Sequence, residues 1–115
     1  MKWVNQICSI LETIGFKVYS PSRENGVINN STSFEERKAI FKDDISLLIK
    51  SDIVIALLDH DDPGTCFEIG YAFSMCKPII GLKTSPFNLN NMILYGCNSI
   101  CESIDHLISE VCSVC

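Results

Sequence analysis

The chain has 115 residues, of which 47% are hydrophobic and 20% are charged, and its formal net charge at pH 7 is -5. This length suits one compact core, so we expect a single domain over residues 1–115. The excess of acidic side chains disfavours a protein that neutralises nucleic-acid phosphates. Apolar runs such as IVIALL at 53–58 are far shorter than the roughly 20 residues of a membrane-spanning helix. We therefore expect neither nucleic acid nor membrane as a partner.

The N-terminal segment and the cysteines both indicate a cytoplasmic protein. Two amides and a glutamate interrupt the apolar stretch that a signal peptide would need. The seven cysteines are spread among apolar residues, which is typical of reduced, mostly buried thiols. Cys97 with Cys101 and Cys112 with Cys115 could supply four zinc ligands. Their first spacing is irregular for a zinc ribbon and one pair lies in a predicted strand, so we expect no metal.

Patterns in the first half of the chain predict two helices and a strand. Apolar residues at helical spacing predict a helix over about 3–14, and Gly15 follows where a helix would end. The β-prone segment FKVYS at 16–20 predicts a strand that enters a long polar loop. Ser33, with a glutamate three residues later, has a capping-box pattern and starts a second helix ending near Lys50. The apolar face of that helix is expected to comprise Phe41, Ile45, Leu48 and Ile49.

The second half of the chain alternates strands with helices. Residues 53–58 are apolar without alternation, as expected of a strand covered on both faces of a parallel sheet. The rest of the pattern predicts these elements in order: a helix at 65–75, a strand at 79–82, an Asn-rich loop, a strand near 99–101 and a helix at 103–111. This alternation implies right-handed βαβ units, hence a parallel sheet with helices on both faces.

The acidic segment at 59–62 marks the expected ligand site. It follows a buried strand, and parallel α/β sheets bind ligands outside the carboxyl ends of their strands. Glu68 falls in the first turn of the next predicted helix, where unpaired backbone N–H groups and the helix dipole favour a carboxylate. Its neighbours are mostly apolar, which favours a cleft. The alternative, an early-turn glutamate on a solvated face, stays open on this pattern alone.

The segments GTCFEIGYA and KPIIGL, with FKDDISLLIKSDIVIALLD upstream, resemble the central signature of the nucleoside 2-deoxyribosyltransferases and their N-glycosidase relatives. The similarity runs from about residue 14 to residue 107 and is specific within 41–82. It implies a flavodoxin-like (Rossmann-like) α/β fold and an enzyme that exchanges or cleaves the N-glycosidic bond of a nucleoside. The implied partners are a nucleoside and a free nucleobase, and the chemistry needs no cofactor.

The same resemblance assigns roles to individual residues. Glu68 matches the catalytic glutamate, which bonds covalently to the anomeric carbon of the sugar while the base leaves. Asp62 matches an aspartate that contacts the base, and Asp44 matches a second one associated with base binding and proton delivery. Asn90, or equally Asn91, resembles the asparagine that a neighbouring subunit lends to the sugar hydroxyls. A homo-oligomer is therefore implied.

General chemistry is consistent with these roles without deciding between them. A carboxylate nucleophile divides the exchange into two displacements through oxocarbenium-like states, and an acid must protonate the departing base. Asp44 or Asp62 could be that acid, but Asp44 could also be an exposed helix residue and Asp62 could stabilise the turn before Gly64. Asp59 could cap this turn or touch the ligand. Arg23 could reach a phosphate or base, although a surface role explains it better.

The chain also departs from the family pattern. Family members usually begin with a strand that helps to form the base pocket, whereas this sequence starts almost directly in a helix. Either that strand has been lost or Met1 is an internal start of a longer gene, and in both cases we expect a sheet without the usual first strand and a partner subunit that protects its edges. Transfer, hydrolysis and non-catalytic binding of a nucleoside or nucleotide all remain open. An apolar stretch could form the subunit interface or pack on its own core: Phe87, Met92, Ile93, Leu94 and Tyr95.

Overall fold

The computed structural model describes residues 2–20, 31–59, 62–86 and 88–114. The chain forms two compact units, Met1–Ser51 and Asp52–Cys115. Within the described ranges, no helix is both long enough and apolar enough to cross a membrane.

The first unit begins with helix α1 (Lys2–Ile14), close to its predicted bounds. The helix ends at Gly15, whose φ of 122° is in the left-handed region that favours glycine. The N–H of Phe16 donates to the carbonyl of Leu11 at 3.0 Å, and that of Gly15 donates to Glu12 at 3.1 Å. These two bonds form a Schellman motif, which satisfies the last carbonyls of the helix.

Helix α2 (Phe34–Lys50) also begins and ends where the sequence predicts. The Ser33 hydroxyl accepts the backbone N–H of Glu36 at 3.1 Å, so the predicted cap is confirmed. The predicted apolar face is partly wrong: Leu48 is buried, but Phe41 is 55% exposed and Ile49 is 51% exposed. Apolar periodicity gives the orientation of a helix, whereas the extent of its coverage depends on the elements packed against it.

The strand predicted at 16–20 is wrong, because residues 16–20 belong to no strand. A short segment becomes a strand only where an adjacent strand pairs with its backbone groups. The sheet in the described part of the chain consists of the strands Val54–Leu57, Ile79–Leu82 and Ser99–Cys101. The β-propensity of this segment was therefore not sufficient to predict a strand.

The second unit contains this sheet, with strands β1 (Val54–Leu57), β2 (Ile79–Leu82) and β3 (Ser99–Cys101) in the order β1-β2-β3. Both neighbouring pairs are parallel, as predicted. All residues of β2 are buried, which means that the central strand is covered on both faces. The sequence predicted coverage on both faces for residues 53–58, but burial alternates along β1, where Val54 and Ala56 are buried and Ile55 and Leu57 are only partly buried.

Three helices accompany the sheet in this unit: α3 (Pro63–Ser74), α4 (Asn91–Gly96) and α5 (Ile104–Val114). Helix α3 packs on β1, β2 and α4, whereas α5 packs on β2 and β3. Helix α3 begins at Pro63, two residues earlier than predicted, because proline is well suited to a first helical position. Helix α4 lies where the sequence predicted only a loop. The parallel α/β architecture of the prediction is otherwise confirmed.

Candidate functional site

An open cleft with a volume of about 1120 Å³ lies between α3 and α4, beside the carboxyl end of β1. Four of the predicted site residues line it: Asp59, Asp62, Asn90 and Asn91. The remaining lining residues are mostly apolar: Leu58, Thr65, Cys66, Ile69, Gly70, Phe73, Asn88, Leu89, Met92, Ile93, Tyr95 and Gly96. The structure thus combines an apolar wall with a polar rim at the end of the sheet where ligands of such folds bind.

Asp59 follows the last paired residue of β1 and binds the segment after β2. Its Oδ1 accepts the backbone N–H groups of Thr84 at 2.7 Å and Ser85 at 3.0 Å, and the Ser85 hydroxyl at 3.2 Å. Its Oδ2 accepts the Thr84 hydroxyl. Burial raises the pKa of the Asp59 carboxyl, but these hydrogen bonds outweigh burial and hold the pKa below its ordinary value.

Asp62 is the N-cap of α3. Its Oδ1 accepts the N–H of Gly64 at 2.9 Å and its Oδ2 accepts the hydroxyl of Thr65 at 3.1 Å. The capping role considered for this residue is therefore observed. A Cβ at Gly64 would lie 3.3 Å from Asp62 Oδ1 and would press on the capping carboxylate. Both Asp62 and Gly64 are exposed, so the cap lies at the open edge of the cleft.

Glu68 is half-buried on α3 but is not among the residues that line this cleft. Thr65, three residues earlier, and Ile69, the next residue, both line the cleft, so Glu68 lies beside the cleft-lining side of α3. Since α3 begins at Pro63, Glu68 is in the second turn, and the prediction of a first-turn position is wrong. The unpaired N–H groups of the helix start are confined to the first turn and do not account for its placement.

Two of the other predicted residues lie at the start of α4, and a third lies on α2. Asn90 caps α4, with Oδ1 accepting the N–H of Met92 at 2.8 Å, and Asn91 is the exposed first residue of that helix. Asp44 lies half-buried within α2, in the first unit. Arg23 and Phe87 lie outside the described residues.

Cysteine burial differs from the prediction. Cys8, Cys97 and Cys101 are buried, but three further free cysteines are exposed: Cys66, Cys76 and Cys112. The expectation of mostly buried thiols is therefore wrong, because exposure depends on which side of its element each residue occupies. Burial raises the pKa of the Cys97 thiol and of the Cys101 thiol. Cys115 lies outside the described residues, and no three His, Cys, Asp or Glu side chains among the described ones are grouped to hold a metal.

Residues 1–105 match the family described as nucleoside 2-deoxyribosyltransferase, a range that includes nearly the whole chain and parts of both units. The chain belongs to the nucleoside 2-deoxyribosyltransferase family. This confirms the resemblance on which the residue assignments were based. A search among curated proteins found no match.

Solved structures agree with family membership. A 2-deoxyribosyltransferase from Bacillus psychrosaccharolyticus has a TM-score of 0.77 and 26% identity, covering 92% of this chain and 79% of that one. A conserved protein from Enterococcus faecalis V583 has a TM-score of 0.71 and 24% identity over 97% and 86% of the two chains. A CMP N-glycosidase from Clostridium botulinum has a TM-score of 0.67 and 24% identity over 96% and 89%. The latter two similarities establish the fold.

The sequence predictions missed two features of the site in this member of the nucleoside 2-deoxyribosyltransferase family. Thr84 and Ser85, which bind Asp59, were not predicted to contribute. Their signal is the pair of small hydroxyl residues that follows a buried strand after one intervening lysine, Lys83. Helix α4 was also missed, although an asparagine before an apolar run is a usual helix start.

Proposed function

We propose that this chain transfers the 2-deoxyribosyl group of a nucleoside to another nucleobase, through a covalent bond between Glu68 and the anomeric carbon. One observation carries the proposal. In a chain of this family, Glu68 lies half-buried six residues after the Asp62 cap, on the helix that starts at the carboxyl edge of the sheet. A partly buried carboxylate at this edge suits a nucleophile that must be held in place and still meet a substrate.

The local geometry of α3 supports access to Glu68. Helical side chains lean towards the N-terminus of their helix and cover the turn before them. The residue one turn before Glu68 is Gly64, which has no side chain and is exposed. The Glu68 side chain therefore extends towards the carboxyl end of β1, and residue 64 places no Cβ in its path.

The proposed reaction has two displacements. In the first, a Glu68 oxygen bonds to the anomeric carbon while the C–N bond breaks and an acid protonates the departing base. In the second, a nitrogen of the incoming base attacks the same carbon, its proton passes to a protein carboxylate, and Glu68 is released as a carboxylate. Asp62 and Asp44 are the proposed groups that hold the base and move the proton. Asp59 is not proposed as the acid, because four donors converge on its carboxylate and these hydrogen bonds hold its pKa below the ordinary value.

N-glycoside hydrolysis is the second candidate activity. Both reactions can share the same covalent intermediate, and they differ only in whether a base or water attacks it. Transfer requires that water be excluded while the first base leaves and the second enters. A comparison of turnover with and without an acceptor base therefore separates the two.

A homo-oligomer is part of the proposal. Met92 is 80% exposed and Tyr95 is 78% exposed, and their spacing of three residues places them next to each other on α4 as an apolar patch. Asn91 lines the cleft, whereas Glu68 is not among the residues that line it. The asparagine that reaches a sugar is accordingly proposed to come from a neighbouring subunit.

The activity is tested by incubating the protein with deoxyinosine and adenine, then with deoxyinosine alone, and separating the products. We expect new deoxyadenosine from the wild type and a rate lower by about 10³-fold or more for Glu68→Gln, since the nucleophile is lost. Glu102→Gln, which changes an exposed carboxylate in the same unit, is the matched control and should retain activity.

Two other outcomes would change the assignment. Hypoxanthine released at the same rate without an acceptor would favour the N-glycosidase. No turnover of several deoxynucleosides by a folded wild type would contradict both activities and leave a nucleoside-binding role, which calorimetric titration would then test.

A further inference from the structure

The Asp59 side chain, at the end of β1, binds the segment that follows β2. The backbone pairing of the two strands extends to the N–H of Leu58, which donates to Leu82 at 2.9 Å. Directly beyond this bond, the Asp59 carboxylate accepts both backbone N–H groups and both hydroxyls of Thr84 and Ser85. A side chain thus continues the connection between two strands at the point where their ladder ends.

The same segment is also anchored towards β3. The N–H of Lys83 donates to the carbonyl of Cys101 at 2.8 Å, and its ammonium group donates to the carbonyl of Ser85. Residues 83–85 are consequently held from both neighbouring strands. The chain then continues to Asn88, where it enters the wall of the α3–α4 cleft, and to the Asn90 cap of α4.

We propose that Asp59 is a positioning residue, whose carboxylate fixes residues 83–85 and thereby sets the location of Asn90 and Asn91. The consequence for catalysis rests on the proposed function, in which one of these asparagines binds the sugar of a neighbouring subunit. The positioning itself is a property of the loop and is measurable without substrate.

The number of donors explains why a carboxylate is needed. Four donors converge on Asp59, and a carboxylate supplies two acceptor oxygens with about four lone-pair sites. An asparagine would keep only one acceptor oxygen. Asp59→Asn should therefore retain part of the anchoring of residues 83–85, and Asp59→Ala should retain none of the bonds that Asp59 makes to them. The backbone ladder and the buried residues of β2 do not depend on these bonds, so the sheet is expected to survive either change.

The experiment measures amide hydrogen exchange at Thr84 and Ser85 in wild type, Asp59→Asn and Asp59→Ala. We expect exchange at these two amides to rise about tenfold or more in Asp59→Ala and less in Asp59→Asn, because local opening no longer breaks bonds to a charged acceptor. Asp52→Asn changes an exposed aspartate before the other end of β1 and should leave the exchange unchanged.

The catalytic consequence is measured by determining KM and kcat separately. An asparagine that binds the sugar equally in ground and transition states affects KM, so Asp59→Ala should raise KM about tenfold while kcat changes less than about threefold. Val111→Ala, which removes buried volume from α5, is the control for general destabilisation and should not raise KM.

Each negative result of these experiments leads to a different conclusion. Unchanged exchange at Thr84 and Ser85 in Asp59→Ala would overturn the positioning role, whether or not the protein is an enzyme. Faster exchange with an unchanged KM, or an equal rise of KM in Val111→Ala, would overturn the link between the loop and the substrate. An inactive wild type would defeat the proposed function, while the exchange data would still decide the structural part.

Discussion

Asp59 and Asp62 are three positions apart, yet their carboxylates have different partners. Asp62 binds groups two and three residues ahead of it, as expected of a helix cap. Asp59 binds Thr84 and Ser85, which are 25 and 26 residues away in the sequence. The first arrangement was foreseeable from local sequence, whereas the second required the two strands to lie side by side.

The lowered pKa of Asp59 leads to a prediction about pH. Burial acts to raise the pKa, but hydrogen bonds to Thr84 and Ser85 lower it below the ordinary value of 3.8. A group whose pKa is lower in the folded chain contributes stability above its unfolded pKa and loses it as the pH falls through the folded value. Asp59→Asn should therefore be less stable than wild type at pH 7, by about 1–2 kcal/mol, and the difference should shrink below pH about 4.

Urea unfolding of both proteins at several pH values provides the measurement. Asp52→Asn serves as the control, because Asp52 is exposed before β1. A stability difference between wild type and Asp59→Asn that stayed constant down to the acid range would contradict the assignment of the carboxylate as the acceptor of these bonds.

Among the glycines of the described residues, Gly81 in β2 has the least room for a Cβ. A Cβ at Gly81 would lie 2.6 Å from Leu58 Cδ1 and 3.0 Å from Ile100 Cδ1, and Leu58 is buried. We expect Gly81→Ala to lower the free energy of unfolding by about 1–2 kcal/mol, because neighbouring side chains must shift within a packed core.

Gly70→Ala is the matched comparison in thermal or urea unfolding. Gly70 lies within α3 and a Cβ there would meet nothing within 4 Å. The change should raise stability by up to about 1 kcal/mol, because alanine is the better helix former. Equal effects of the two substitutions would show that packing around β2 is looser than the geometry indicates.

The helices and strands also show which local sequence signals are sufficient to predict secondary structure. The cap at Ser33 and the stop at Gly15 each depend on a few consecutive residues, and both were predicted correctly. Residues 16–20 have a strand-like composition without being a strand, because pairing depends on a distant segment. Helix α4 is short enough that its apolar run did not show a helical period.

At the scale of the whole molecule, the exposed apolar residues of α4 predict an oligomer. Light scattering should give a mass that is a multiple of the 12.8 kDa chain. A double variant with Met92→Glu and Tyr95→Glu should be monomeric and should lose transferase activity, since burying new charges in an interface is costly. Phe34→Glu is the control, because Phe34 is 83% exposed on a different helix and the oligomer should survive its change. A monomeric and active wild type would contradict the proposal.

The amino-acid sequence predicted the parallel α/β class, most element bounds and the family to which the chain belongs. It did so because caps, periodicity and the segment around Glu68 are local patterns. Only the packed fold shows that Thr65 and Ile69 of α3 line the α3–α4 cleft while Glu68 does not, and that Asp59 holds the loop after β2. Those features depend on which sides of neighbouring elements meet, and residues that are distant in the chain determine that packing.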